Sequence, residues 1–152
     1  MTQFVLPANK HLYFTRHAES WGNVGKNTID PPLTDKGILE AKKLVGHVDC
    51  IVVSPMRRCK ETLQYSQFTY NTLIINYNFR EKITALQDTL LLEKVTVETE
   101  EQFKARIKLF NQEILALFEQ YDNILLIGHA YYLNLWYNDA LPTKHATIIQ
   151  LI

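Results

Sequence analysis

The sequence predicts an α/β protein, a three-layer α/β/α sandwich around a mainly parallel sheet of about five strands. Two observations predict it. Short runs rich in Val, Ile, Leu, Tyr and Phe recur along the chain, apolar on successive positions instead of alternating, as in strands covered on both faces. Segments with helical spacing separate these runs, and strands alternating with helices imply βα units joined by right-handed crossovers.

The first run, HLYFT (11–15), is a strand that ends on Arg16 and His17. In LTDKGILEAKKLVGHV (33–48), Thr34 stands in N-cap position with Asp35 in the first turn, and Ile38, Leu39, Ala41, Leu44 and Val45 fall near one helical face. CIVVS (50–54) is the second strand, RRCKETLQYSQ (57–67) a short helix and TLIINY (72–77) the third strand. Residues 78–98 lack a clean period and contain few turn residues, so an irregular excursion over the sheet is expected there. TEEQFKARIKLFNQEILALFEQY (99–121) is the most regular helix, with Phe103, Ile107, Phe110, Ile114, Leu117 and Phe118 on one face. Thr99 and Gln102 have the form of a capping box, and Glu100 and Glu101 suit the positive end of the helix dipole. NILLIGH (123–129) and ATIIQLI (146–152) supply the last two strands. With no repeat or linker in 152 residues, a single domain spanning 1–152 is expected.

Sixteen basic side chains balance sixteen acidic ones, so there is no overall field to attract nucleic acid or an anionic membrane. Any affinity for an anion must be local. The first ten residues lack the pattern of a secretory leader, and no apolar run approaches the roughly 18–20 residues that span a bilayer. Cys50 and Cys59 fall outside metal-ligand spacings and are expected as free thiols in a reducing, cytoplasmic setting.

Three strands end in polar residues: Arg16-His17 after the first, Pro55-Met56-Arg57-Arg58 after the second, and His129 after ILLIG. In an open parallel sheet the carboxyl ends form the crevice where ligands bind, so these residues converge. Each alone has a structural reading, a hydrogen-bonding histidine or a solvated arginine pair. Together they crowd cationic groups at a cost of several kcal/mol unless an anion answers them. Phosphate fits: arginine's planar fork matches its oxygens, and histidine can attack phosphorus.

The segments TRHAESWGN, PPLTDKG, VVSPMRRCKET and LLIGHA, in that order, resemble the histidine phosphatase superfamily, also called phosphoglycerate-mutase-like, from about residue 11 to 150. The resemblance implies that His17 is the nucleophile that takes the phosphoryl group as phosphohistidine and that Arg16 clamps the phosphate beside it. Arg58, four residues after Ser54, matches the second clamp, with Arg57 in the variable slot. His129 matches the second histidine, which binds the phosphoryl oxygens, and Asn23 a polar phosphate-loop position. Glu81, in FREKITALQD, matches the general acid, although the family's downstream glycine is replaced by Thr84 and Ala85. The alternative for Glu81 is an exposed residue paired with Arg80 or Lys82.

Ala18 and Ala130 stand where the family has glycines, Met56 for Leu and Cys59 for Ala. A positive φ at either alanine would cost about 1 kcal/mol or more, and a narrowed pocket is expected. The function implied is a phosphatase hydrolysing phosphate monoesters without metal or cofactor, acting on a small phosphorylated substrate or a phosphoprotein, with no nucleic-acid or membrane partner. The alternatives are a phosphohistidine-type phosphoprotein phosphatase, a mutase, for whose covering insertions the chain has little length, and a non-catalytic phosphate-binding module. Specificity is expected to lie in 24–31 and 78–98. His11 and His47 are expected to flank elements, His145 to sit in a loop near the rim, and Trp136 and Tyr137 to pack a helix against the sheet.

Overall fold

Burial along the central strands sets the architecture of the protein, a computed structural model in which residues 6–26, 28–90, 97–138, 140–141 and 143–152 are described. The strands are β1 (His11–Arg16), β2 (Val45–Val53), β3 (Gln67–Ile75), β4 (Asn123–Gly128) and β5 (Ile148–Gln150). On β2 and β4, Cys50, Val52, Ile124 and Leu126 face one side of the sheet, and Ile51, Val53, Leu125 and Ile127 the other. All eight are buried, so both faces must be covered.

Helices α3 (Glu100–Leu117) and α4 (Ala130–Trp136) cover the first face through Phe103, Phe110, Ile114, Tyr132, Leu133 and Trp136. Helix α2 (Arg57–Tyr65) covers the second through Cys59 and Leu63, with α1 (Asp35–Lys42) beside it. The strand order is β3-β2-β4-β1-β5; all neighbours are parallel except β5, which runs antiparallel to β1. This is the predicted mainly parallel α/β sandwich. No helix among the described residues is long and apolar enough to cross a membrane.

Several boundaries differ from the sequence expectation. Helix α1 ends at Lys42, and Val45 to Val48 are not helical: they extend β2 by pairing with Gln67 to Tyr70. Gly46 breaks the helical run, and the parallel partner strand decides the conformation, since β propensity is expressed through pairing. Leu39 and Val45, expected on the buried face, are exposed. Helix α2 stops at Tyr65, and β3 begins at Gln67. The final strand shrinks to Ile148–Gln150. The excursion carries two single 3₁₀ turns, Tyr77–Phe79 and Leu86–Asp88, while its residues 91–96 lie outside the described residues. Helix α4 is the helix that Trp136 and Tyr137 were expected to pack against the sheet, and Tyr132, Leu133 and Trp136 are buried at helical spacing on it.

The capping box of α3 is present: Gln102 N–H donates to Thr99 Oγ1 at 3.1 Å, and Thr99 N–H to Gln102 Oε1 at 2.9 Å. At the end of β4, Gly128 lies against Phe79, and a Cβ there would stand 2.3 Å from a ring carbon. Phe79 cannot retreat easily, being stacked on Phe110 with centroids 4.5 Å apart and set edge-on to Tyr132 at 5.0 Å. Gly128→Ala is therefore expected to lower stability by about 1–3 kcal/mol, seen as a lower urea midpoint at unchanged m.

Candidate active site

The carboxyl ends of β1, β2 and β4 open onto one cavity of about 210 Å³ lined by Arg16, His17, Ser20, Asn23, Arg58, Glu81, Gln87, Asp88, His129, Ala130 and Tyr131. Every residue singled out from the sequence as a site candidate lines it. The fold explains the convergence. β1 pairs with β4 in a register that sets Arg16 opposite Gly128, so His17 and His129 follow at the same height. Arg58 enters from the first turn of α2, and Glu81 from the segment after the Tyr77–Phe79 turn.

His17 is 4% exposed, and its Nδ1 lies 2.7 Å from the carbonyl oxygen of Ala18. A carbonyl only accepts, so Nδ1 carries the proton and Nε2 keeps its lone pair. Burial first, then the charge of Arg58, holds the imidazole well below its ordinary pKa. His17 is thus a neutral base with one fixed tautomer. His129 is also buried and neutral, for the same two reasons. Its Nε2 lies 2.8 Å from Ser54 Oγ, and Arg58 Nη2 stands 3.5 Å from its Nδ1. The two rings face each other edge-on with centroids 5.4 Å apart.

Arg58 is anchored by its Nη1 donating to Gln87 O at 2.9 Å and by Asp88, whose Oδ1 is 3.3 Å from Nη2 in a pair of side chains only 6% and 4% exposed. Arg16 donates through Nη1 to Thr143 O at 3.2 Å, while its buried Nε has no partner among the described residues. A buried donor without an acceptor costs about 1–3 kcal/mol, and an anion in this cavity would remove that cost. Asn23 accepts from Ser20 N–H at 2.9 Å and Ser20 Oγ at 3.0 Å through Oδ1, which leaves its Nδ2 donors for a ligand. Arg57, in the variable slot, points to solvent and pairs with Glu61.

Glu81 is not the exposed partner of Arg80 or Lys82. Arg80 is buried and donates to Asp88 O at 2.6 Å, and the Lys82 ammonium pairs with Glu100. Burial pushes the Glu81 carboxyl up to about 7, although the backbone amide of Lys82 and the charge of Arg58 oppose the shift. A carboxyl that is half protonated near neutrality can donate a proton there.

The glycine replacements carry no backbone strain, since among the described residues only Asp30 and Ala146 of the non-glycines have positive φ. Ala18 packs with Leu33 and Ala41, and its N–H donates to Thr62 Oγ1 at 2.9 Å, so its methyl narrows nothing; Ala130 does line the cavity. Asp88, Gln87 and Ser54 were missed as site residues. His145 was placed near the rim, but its Nδ1 lies 2.9 Å from the His17 carbonyl oxygen and its ring 5.5 Å from the His17 ring. A bridge to Arg16, closed by the Ala146 N–H donating to Arg16 O at 3.0 Å, brings it there.

Residues 12–86 match the model of the histidine phosphatase superfamily (branch 1). No match is found among curated proteins. Solved structures with the same fold include the alpha-ribazole phosphatase from Shigella flexneri, 18% identical with TM-score 0.71 over 92% of this chain and 89% of that one. The phosphoserine phosphatase from Entamoeba histolytica is 18% identical with TM-score 0.62 over 93% and 89% of the two chains. The protein histidine phosphatase SixA, in complex with tungstate, is 16% identical with TM-score 0.55 over 92% and 86%.

Proposed function

Because residues 12–86 belong to the histidine phosphatase superfamily, we propose that the protein hydrolyses phosphate monoesters through a phosphohistidine on His17, without a metal. The observation that carries this reading is the hydrogen bond from His17 Nδ1–H to Ala18 O, which leaves the Nε2 lone pair facing a cavity of arginines. Arg16 and Arg58 hold the phosphoryl oxygens. His17 Nε2 attacks phosphorus, Glu81 protonates the departing alkoxide, and the resulting carboxylate then takes a proton from the water that cleaves the phosphohistidine. His129 binds the oxygens as charge spreads over them. Ser54 can donate as well as accept, so His129 can change tautomer and turn Nδ1–H toward the phosphoryl group with both nitrogens still paired.

This reading is tested by quenching turnover of a labelled ester under alkaline conditions and mapping the label. Expected is label on the peptide containing His17, with turnover unaffected by chelator; turnover without any phosphoenzyme would overturn it.

The pH profile follows from the same groups. Activity needs neutral His17, so it falls as pH drops through a pKa well below 6.5; it needs protonated Glu81, so turnover of poorly leaving esters falls as pH rises through about 7. Removing the Arg58 charge takes away one of the two main causes that depress His17. Arg58→Met is therefore expected to move the acidic limb upward, and to raise KM, in a pH series of kcat/KM.

A further inference from the structure

Glu81 sits in a stretch with no strand or α-helix to fix it, yet an acid must meet the leaving oxygen within hydrogen-bond reach. What orders this stretch is a side chain from another element. Arg106, in the second turn of α3, donates through Nη1 to Asn78 O at 2.8 Å and Arg80 O at 2.6 Å, and through Nη2 to Glu81 O at 3.3 Å. Its Nε and Nη2 also donate to the two carboxylate oxygens of Glu98, both at 2.8 Å. These bonds use all five donors of the guanidinium. Glu98 ties the downstream chain to the same point, accepting from Ile83 N–H at 3.2 Å and donating its own N–H to Ile83 O at 2.9 Å. Arg106 and Glu98 side chains are 14% and 9% exposed, and the guanidinium carbon stands 5.0 Å from the Phe103 ring centroid and 5.9 Å from that of Tyr132. Tyr132 in turn donates its hydroxyl to Asn78 O at 2.7 Å.

Resting on the reading of Glu81 as the acid, we propose that Arg106, locked by Glu98, is the positioning residue that holds Glu81 against the leaving group. The carbonyls of Asn78, Arg80 and Glu81 itself converge on one planar cation, and residues 80–85 lie in no strand or helix whose bonding could replace them. Lysine would keep the charge and much of the stem packing, but three donors on a round ammonium cannot reproduce the fork. The loop is then free to shift, and a displacement of about 1 Å can cost on the order of 100-fold in rate.

The test compares an alkyl phosphate with an aryl phosphate of low leaving-group pKa, using the full chain and the variants Arg106→Lys, Glu98→Gln, Glu81→Gln and the Arg106→Lys/Glu81→Gln double variant. Expected for Arg106→Lys is a fall of about 10–100-fold in kcat on the alkyl ester, with aryl turnover close to the parent's and no further alkyl loss in the Glu81→Gln background. Equal losses on the two esters, or losses that add in the double variant, overturn the proposal and make Arg106 a structural residue. Should Arg106→Lys fail to fold, Glu98→Gln carries the same test: a smaller loss confined to the alkyl ester supports the proposal, and an unselective one overturns it. Glu81→Gln with unchanged alkyl turnover removes the acid reading and this proposal together, while His17-dependent aryl turnover reports on the phosphohistidine step separately.

Discussion

His17→Ala is expected to lower turnover of alkyl and aryl phosphates alike, by about 10⁴–10⁶-fold, because loss of a nucleophile removes the reaction path itself and not one contribution to it. Among the described residues, no second group lining the cavity is in the same state. His129 has Ser54 on Nε2 and Arg58 beside Nδ1, and His145, although its Nδ1 is likewise on a carbonyl, that of His17, is not among the residues lining the cavity. Cys59 is close to His129, but burial pushes its thiol up to about 12, so no thiolate is available. The fold should survive. Among the described residues the His17 side chain hydrogen-bonds only to its neighbour Ala18, whereas the backbone N–H of His17 still reaches Gly128 O at 3.0 Å. Unchanged circular dichroism with lost turnover is the expected pair of results; turnover near the parent's would place the nucleophile elsewhere.

The strands most legible in the sequence were those buried on both faces. LYFT and ILLIG are unbroken apolar runs because β1 and β4 lie inside the sheet, under helices on each side. β3 is an edge strand, and its exposed Gln67, Thr69, Tyr70 and Asn71 carry no such run, so the strand is legible only from Thr72 and Gln67 reads as the end of a helix. The start of β2 was hidden for the matching reason: Val45 to Val48 are strand only because β3 pairs with them. The site divides in the same way. Arg16, His17, Arg58 and His129 were legible because parallel strands bring their ends together whatever the loops do. Gln87 holds Arg58 through a backbone carbonyl, which no side-chain pattern reveals, and Asp88 reaches Arg58 across 30 residues of sequence from an irregular segment.

Glu81→Gln is expected to reduce turnover of an alkyl phosphate by about 10²–10⁴-fold, and that of an aryl phosphate with a good leaving group much less. Glutamine keeps the size and the hydrogen bonding of the side chain but cannot give up a proton. An alkoxide is a strong base and must be protonated as the bond to phosphorus breaks, whereas a phenolate of low pKa departs as the anion; attack by His17 and the arginine clamp are the same for both. The selectivity of the loss, more than its size, therefore identifies the acid. A second signature follows from the carboxyl lying near 7. In the parent, alkyl turnover should fall as pH rises through that value because the proton is lost, and in Glu81→Gln this alkaline limb should disappear while the acidic limb set by His17 stays in place. Equal losses on both esters would make Glu81 structural. No loss on either would remove the acid from this site, and would favour a phosphoryl donor whose leaving group needs no proton, such as a phosphohistidine, as the natural substrate.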